Sequence, residues 1–243
     1  MAKMTPEDLT EELKKICGSN LCAVVLYGSA AAGDTVKTSD YNVLVTLEQV
    51  DADGLLALTG LCTRWGKDGN PAPLLFARET LLRSADVFPV EFADIMQTHK
   101  VLHGANPFDG LKIHLGNLRL ELEHEFKSKV ILLRERFLVT RGAPKEVDKL
   151  MADSLAAFLT LFKAALRLYG DTPPAKKLEA LPLLAKHIKF DTEIFSIVWE
   201  LKEGRKNKDL SSMQIFSRYL AAVQGVSGEV DRWLQSTESE VKK

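Results

Sequence analysis

The chain of 243 residues carries 32 basic and 33 acidic side chains, a formal net charge of −1, which leaves room for one large or two small domains whose core needs neither disulfide nor structural metal. An apolar share of 46% and a charged share of 27% exclude a disordered chain, and the longest apolar run, residues 21–27, is far short of the roughly 20 residues of a membrane span. Cys17, Cys22 and Cys62 form no CxxC pair, which excludes zinc knuckles and disulfide frameworks, and the N-terminus lacks a signal-peptide core, so a cytoplasmic protein is expected.

Thr5 as cap, Pro6 at the first helical position and Asp8 in the capping-box place open a helix. Leu9, Leu13 and Ile16 share its inward face, and Gly18 with Asn20 ends it. Residues 21–27, apolar and bounded by turn residues, read as a buried strand. Small residues follow over 28–39 in a loop, with room for one helical turn at 30–32. A second strand covers 42–46, with Val43 and Val45 on one face and Asn42 and Leu44 on the other. A helix over 53–65 stops at the turn of residues 66–71, and 74–77 make a third strand. Residues 88–104 are ambiguous: Phe88, Val90 and Phe92 alternate like a strand, whereas Phe88, Phe92, Ile95 and Met96 fit a helical face. A last strand over 100–103 precedes the joint Gly104-Ala105-Asn106-Pro107.

Beyond that joint the period is helical. Leu115, Leu118, Leu122, Phe126, Val130, Leu133 and Phe137 step by three or four. A second helix is predicted over 144–169, with Leu155, Phe158, Leu159, Phe162 and Leu166 inward. Helices over 173–187, 191–203 and 209–234 complete a bundle, with Gly204 as a stop and Gly225 or Gly228 as a break in the last. The expected fold class is α+β: a small mixed-sheet domain over 1–108, then an all-α bundle over 109–243. The first part holds 9 basic against 14 acidic side chains and the second 23 against 19. Neither balance is that of a general nucleic-acid binder. The asymmetry fits either complementary charge at a domain interface or a cleft with one acidic and one basic side.

One stretch carries chemistry: Leu26-Tyr27-Gly28-Ser29, ten further residues, then Asp40-Tyr41-Asn42-Val43-Leu44-Val45. Gly28 lets backbone approach a ligand closely, and Ser29 can donate through its hydroxyl and its N–H. Residues 40 and 42 are two apart, so on a strand they face one space. This strand, Gly-Ser turn, loop and strand resembles the signature of the polymerase-beta-like nucleotidyltransferase superfamily, in which two acidic residues one apart follow Gly-Ser after about ten residues. Many members continue with an all-helical domain, as the aminoglycoside nucleotidyltransferases do. The resemblance implies transfer of a nucleoside monophosphate from a nucleoside triphosphate, with Mg²⁺, to a hydroxyl of a small molecule or protein. Gly28 and Ser29 would bind the nucleotide, and Asp40 and Asn42 would hold the metal and carry catalysis.

Asn42 departs from that pattern. An amide offers one neutral oxygen to a hard cation where a carboxylate offers a full charge. A loss of about 4 kcal/mol of transition-state stabilisation slows transfer about a thousandfold. The third acid expected from the family is missing from Leu74-Leu75-Phe76, leaving Glu91 or Asp94 as replacements. The alternative is therefore a non-catalytic nucleotide sensor or interaction module on the same fold. Arg119 and His124 match the Arg-x4-His spacing of helical HEPN ribonucleases, but five residues on a regular helix separate two side chains by roughly 140°. The five histidines show no metal-ligand spacing.

Overall fold

The computed structural model describes residues 3–31 and 40–241, with side chains to residue 233. It divides into two compact units, Met1–Ile113 and His114–Lys243. The first is built on a four-stranded mixed sheet. Strand β1 (Leu21–Tyr27) lies antiparallel between β2 (Asn42–Leu47) and β4 (His99–Gly104), and β3 (Leu74–Ala77) runs parallel to β2 in the order β3-β2-β1-β4. Such a parallel pair needs a crossover, and helix α2 (Ala52–Lys67) supplies it.

Both faces of the sheet are covered. Helix α1 (Pro6–Cys17) starts with the expected capping box, the Thr5 hydroxyl accepting from the Asp8 N–H while Asp8 accepts from the Thr5 N–H. Leu9 and Leu13 of α1, with Leu58, Leu61 and Trp65 of α2, pack on Val24, Val43 and Val45. Ile16 does not join them; it lies on the exposed side at the helix end. The other face carries Val25 and Leu44, covered by Leu81 of α3 (Arg78–Arg83), Phe92 and Ile95 of α4 (Pro89–Gln97), and Phe108. Leu111 and Ile113 pack on this cluster, so the sheet unit runs to Ile113.

The ambiguous stretch resolves as a helix, because Pro89 fixes φ at the first helical position and Phe92, Ala93 and Ile95 then share one buried side. Phe88 stays outside at the cap, 46% exposed. The short α3 has no periodicity long enough to read in advance. Residues 30–31 form a turn closed by the Ala31 N–H on the Gly28 carbonyl at 3.1 Å; the rest of the expected loop, 32–39, lies outside the described residues.

The second unit contains α5 (Leu115–Thr140), α6 (Pro144–Ala165), α7 (Ala180–Leu184), α8 (Glu193–Lys202) and α9 (Ser212–Val241). Helix α6 is central, packing on α5, α7, α8 and α9. Its Phe158 and Phe162 meet Tyr219, Phe126 and Phe195 with ring centroids 5.0–5.9 Å apart. Tyr219 is fully buried; its hydroxyl shares a 3.0 Å hydrogen bond with Ser154, and burial pushes its pKa far up. Leu118, Leu122, Phe126, Val130 and Leu133 of α5 are buried as the period requires, whereas Leu115 at the first turn is 44% exposed.

Two expectations fail for identifiable reasons. The helix over 173–187 contracts to a 3-10 turn (Lys177–Glu179) and the five residues of α7. Prolines at 173, 174 and 182 lack N–H groups, and Pro182 is tolerated only because it sits in the first turn. The last helix does not break at Gly225 or Gly228: Val223, Val226 and Val230 carry its buried face straight through, and packing outweighs glycine propensity. Gly204, with φ of 80°, does stop α8. Among the described residues no helix is long and apolar enough to cross a membrane.

Candidate functional site

The β1–β2 register pairs Tyr27 with Asn42, and the β1–β4 register pairs Tyr27 with His99. Directly opposed residues of antiparallel strands share a face, so Asn42, Tyr27 and His99 form a row across three strands at one end of the sheet. Gly28 follows immediately. It holds φ of 77°, and its N–H donates to the Thr98 carbonyl at 3.3 Å. A Cβ built on Gly28 would stand 3.6 Å from Asn42 Nδ2, so glycine backbone and Asn42 amide lie side by side. Ser29 is exposed in the turn that follows.

Asp40 is exposed and lies two residues ahead of β2, which begins at Asn42. Strand alternation therefore does not by itself point its carboxylate; what fixes the chain here is a contact from α2 and its following turn. The side chain of Asn70, 5% exposed, accepts from the Tyr41 N–H at 3.0 Å and donates to the Trp65 carbonyl at 3.3 Å. Trp65 donates its indole N–H to the Pro71 carbonyl at 2.8 Å and stacks on Tyr41 at 6.0 Å. The residue between Asp40 and Asn42 is thus clamped from 29 residues away. Removing the clamp with Asn70→Ala leaves the Tyr41 N–H without its acceptor and should cost about 1–3 kcal/mol. Urea unfolding checks this: the midpoint falls at an unchanged slope, and an unmoved midpoint shows that Asn70 does not hold the segment.

Tyr27, His99 and Asn70 are the residues around the site that sequence reasoning did not reach. Tyr27 is half-buried, which pushes its phenol pKa up. His99 Nδ1 lies 3.1 Å from the Met96 carbonyl, and its ring meets Phe108 edge-on at 5.2 Å. Tyr27 belongs to the strand read over 21–27 and Asn70 to the turn read over 66–71, but nothing local marked either as part of a site.

The third acid is not assembled. Strand β3 pairs Leu44 with Leu74, and continuing that register brings Ala72 opposite Asn42. Glu91 and Asp94 sit on α4, and among the described residues no three His, Cys, Asp or Glu side chains are grouped to hold a metal. Among the described residues, Asp40 is the carboxylate beside this end of the sheet and Asn42 the amide on it. The ribonuclease-like pair is absent as well. Arg119 is buried and bound to Glu123 at 2.7 Å and to the Asp231 carbonyl at 3.2 Å, whereas the His124 side chain is 77% exposed.

No protein-family model matches the chain, and no curated protein matches it in sequence. A solved structure does resemble it: spectinomycin adenyltransferase AAD(9) from Enterococcus faecialis, determined with ATP and spectinomycin. The two share 10% identity at a TM-score of 0.57, over 93% of this chain and 98% of that one. A toxin-antitoxin structure with AMP-PNP is 19% identical over 52% of this chain and 94% of its own, at a TM-score of 0.32. Because the first likeness extends along nearly the whole length of both chains and not over the Gly-Ser motif alone, this chain has the polymerase-beta-like nucleotidyltransferase fold: a small α+β domain followed by a helical one.

Proposed function

We propose that the chain is a cytoplasmic protein that binds a nucleoside triphosphate with Mg²⁺ at the Gly28 end of the sheet. There it transfers the nucleoside monophosphate to a hydroxyl of a small molecule or protein, at a rate lowered by Asn42. The observation that carries this is the contact of Gly28 with Asn42 across the β1–β2 ladder. It sets a backbone free of any Cβ beside the residue two beyond Asp40. Gly28, its own N–H engaged by the Thr98 carbonyl, lets phosphate approach the backbone, and Ser29 donates through its hydroxyl and N–H. Asp40 supplies the full negative charge of the metal site and Asn42 a neutral oxygen, a donor set that fits one hard cation weakly and a pair of cations not at all. Mg²⁺ bound there neutralises triphosphate charge. That the spectinomycin adenyltransferase was solved with ATP and spectinomycin supports a nucleoside triphosphate and a small molecule as substrate classes.

A second reading is a nucleotide sensor or interaction module without transfer. The uncharged β3 and the amide at 42 favour it. Calorimetry with ATP, GTP, CTP and UTP, each with and without Mg²⁺, tests the nucleotide binding that transfer and sensing share. At least one nucleotide should bind in a Mg²⁺-dependent way, and Asp40→Asn should weaken it more than tenfold. Four blank titrations would remove transfer and nucleotide sensing and leave the interaction module. Pyrophosphate release in a screen of hydroxyl acceptors separates transfer from sensing.

A further inference from the structure

At the end of the sheet away from Gly28, a cavity of about 380 Å³ opens between the start of β1, the end of β2, α3 and the loop after β4. Two register shifts make the room. Leu21 pairs with Leu47 but Ala23 with Thr46, which leaves Cys22 as an extra residue on β1; a further shift follows between Val24 and Val25 on the β4 side. Bulges of this kind bend a strand and re-aim its side chains.

The wall on the β2 side is Thr46, which is 1% exposed. Two residues after Leu44, it faces the side of the sheet where Leu81 and the cavity lie. Among the described residues its hydroxyl has no hydrogen-bond partner. Thr46 Oγ1 is not one of the enclosed polar atoms left without a partner, so it is reached from the cavity, and a ligand or water can complete it there. At the mouth, Glu48 Oε1 accepts from Cys22 Sγ at 3.3 Å and from Arg78 Nη1 at 3.1 Å, and Asp109 Oδ1 accepts from Asn106 Nδ2 at 3.0 Å. Each carboxylate keeps a second oxygen unspent among the described residues. Cys22 remains a thiol, its pKa pushed up by burial and then by the Glu48 hydrogen bond, so it adds no negative charge. The lining charges are therefore two carboxylates against one guanidinium already engaged by Glu48. The spare capacity is for hydrogen-bond donors, and Leu21, Ala23 and Leu81 supply apolar walls.

We propose that this cavity binds a small primary amine in its ammonium form, its short apolar body against Ala23 and Leu81, its donors meeting Thr46, Glu48 and Asp109. The site is separate from the Gly28 end, so it stands or falls independently of the nucleotide reading. The test uses the full chain with n-butylamine and putrescine as probes, and 1-butanol and butyrate as neutral and anionic controls, followed by calorimetry and amide NMR shifts. The amines are expected to bind and to move the Ala23, Thr46 and Asn106 amides, whereas butanol and butyrate do not. Thr46→Val keeps the β-branched shape, raises the melting temperature of the free protein slightly, and lowers amine affinity about five- to tenfold. Glu48→Gln and Asp109→Asn each lower it more than tenfold. Amine binding that ignores Thr46→Val, amide shifts scattered outside the cavity, butyrate binding as well as butylamine, or no amine binding at all each overturn the proposal.

Discussion

Asn42→Asp is expected to make the thermal melts of variant and wild type cross. Among the described residues the Asn42 amide has no hydrogen-bond partner, so exchanging its nitrogen for oxygen breaks no such bond. The new carboxylate lies one residue removed from the exposed Asp40. In chelator the two negative charges repel by about 1 kcal/mol, which lowers the melting temperature by about 2–4 °C. In millimolar Mg²⁺ with nucleotide the added charge tightens binding, and a tenfold gain in affinity returns about 1.4 kcal/mol, bringing the variant level with wild type or above it. Restored transfer would need a further acid as well, because β3 contributes none. If the variant melts at one temperature with and without Mg²⁺ and nucleotide, residues 40 and 42 are not a metal site and the proposed function loses its basis.

Gly104→Ala should be the most damaging single-methyl change in the sheet unit. Gly104 ends β4 opposite Ala23, with φ of 76°, a conformation that costs an L-residue about 1–2 kcal/mol. Its Cβ would also stand 1.9 Å from the Cys22 carbonyl oxygen and 3.1 Å from Ala23 Cα. Both are backbone atoms, so no rotamer relieves the clash, and β4 must draw away from β1. The expected loss exceeds about 4 kcal/mol, lowering the melting temperature by more than about 10 °C. Gly69→Ala is the matched control: its φ of 85° carries the same strain, but a Cβ there meets nothing within 4 Å. It should cost only the 1–2 kcal/mol of conformation. Equal losses in the two variants would show that backbone strain, not the approach of β4 to Cys22, is what Gly104 relieves.

The elements that were legible are those whose cause is local. The Thr5–Asp8 box and Pro6 mark the start of α1 within four residues, and the turn-bounded run over 21–27 is β1 itself. The four-residue stepping of Leu118, Leu122, Phe126 and Val130 marks the buried side of α5. Residues 88–97 were not legible, since Phe88 and Phe92 satisfy two periods at once; Pro89 at the first helical position together with packing beneath Leu44 and Val25 selects the helix. Glycines at 225 and 228 likewise read as breaks until the valines beside them are buried.

For the candidate site the division is similar. Composition and spacing determined that Gly28, Ser29, Asp40 and Asn42 lie on a strand–turn–loop–strand frame and that position 42 is an amide, because residue identity and short-range alternation are properties of the chain alone. Tertiary structure decided the rest. Pairing of β1 with β2 puts Gly28 against Asn42, Asn70 reaches back 29 residues to hold Tyr41, and the register of β3 leaves Ala72 where an acid would have been useful. None of these has a local signal, since each depends on which distant backbone comes within hydrogen-bond reach once both faces of the sheet are buried.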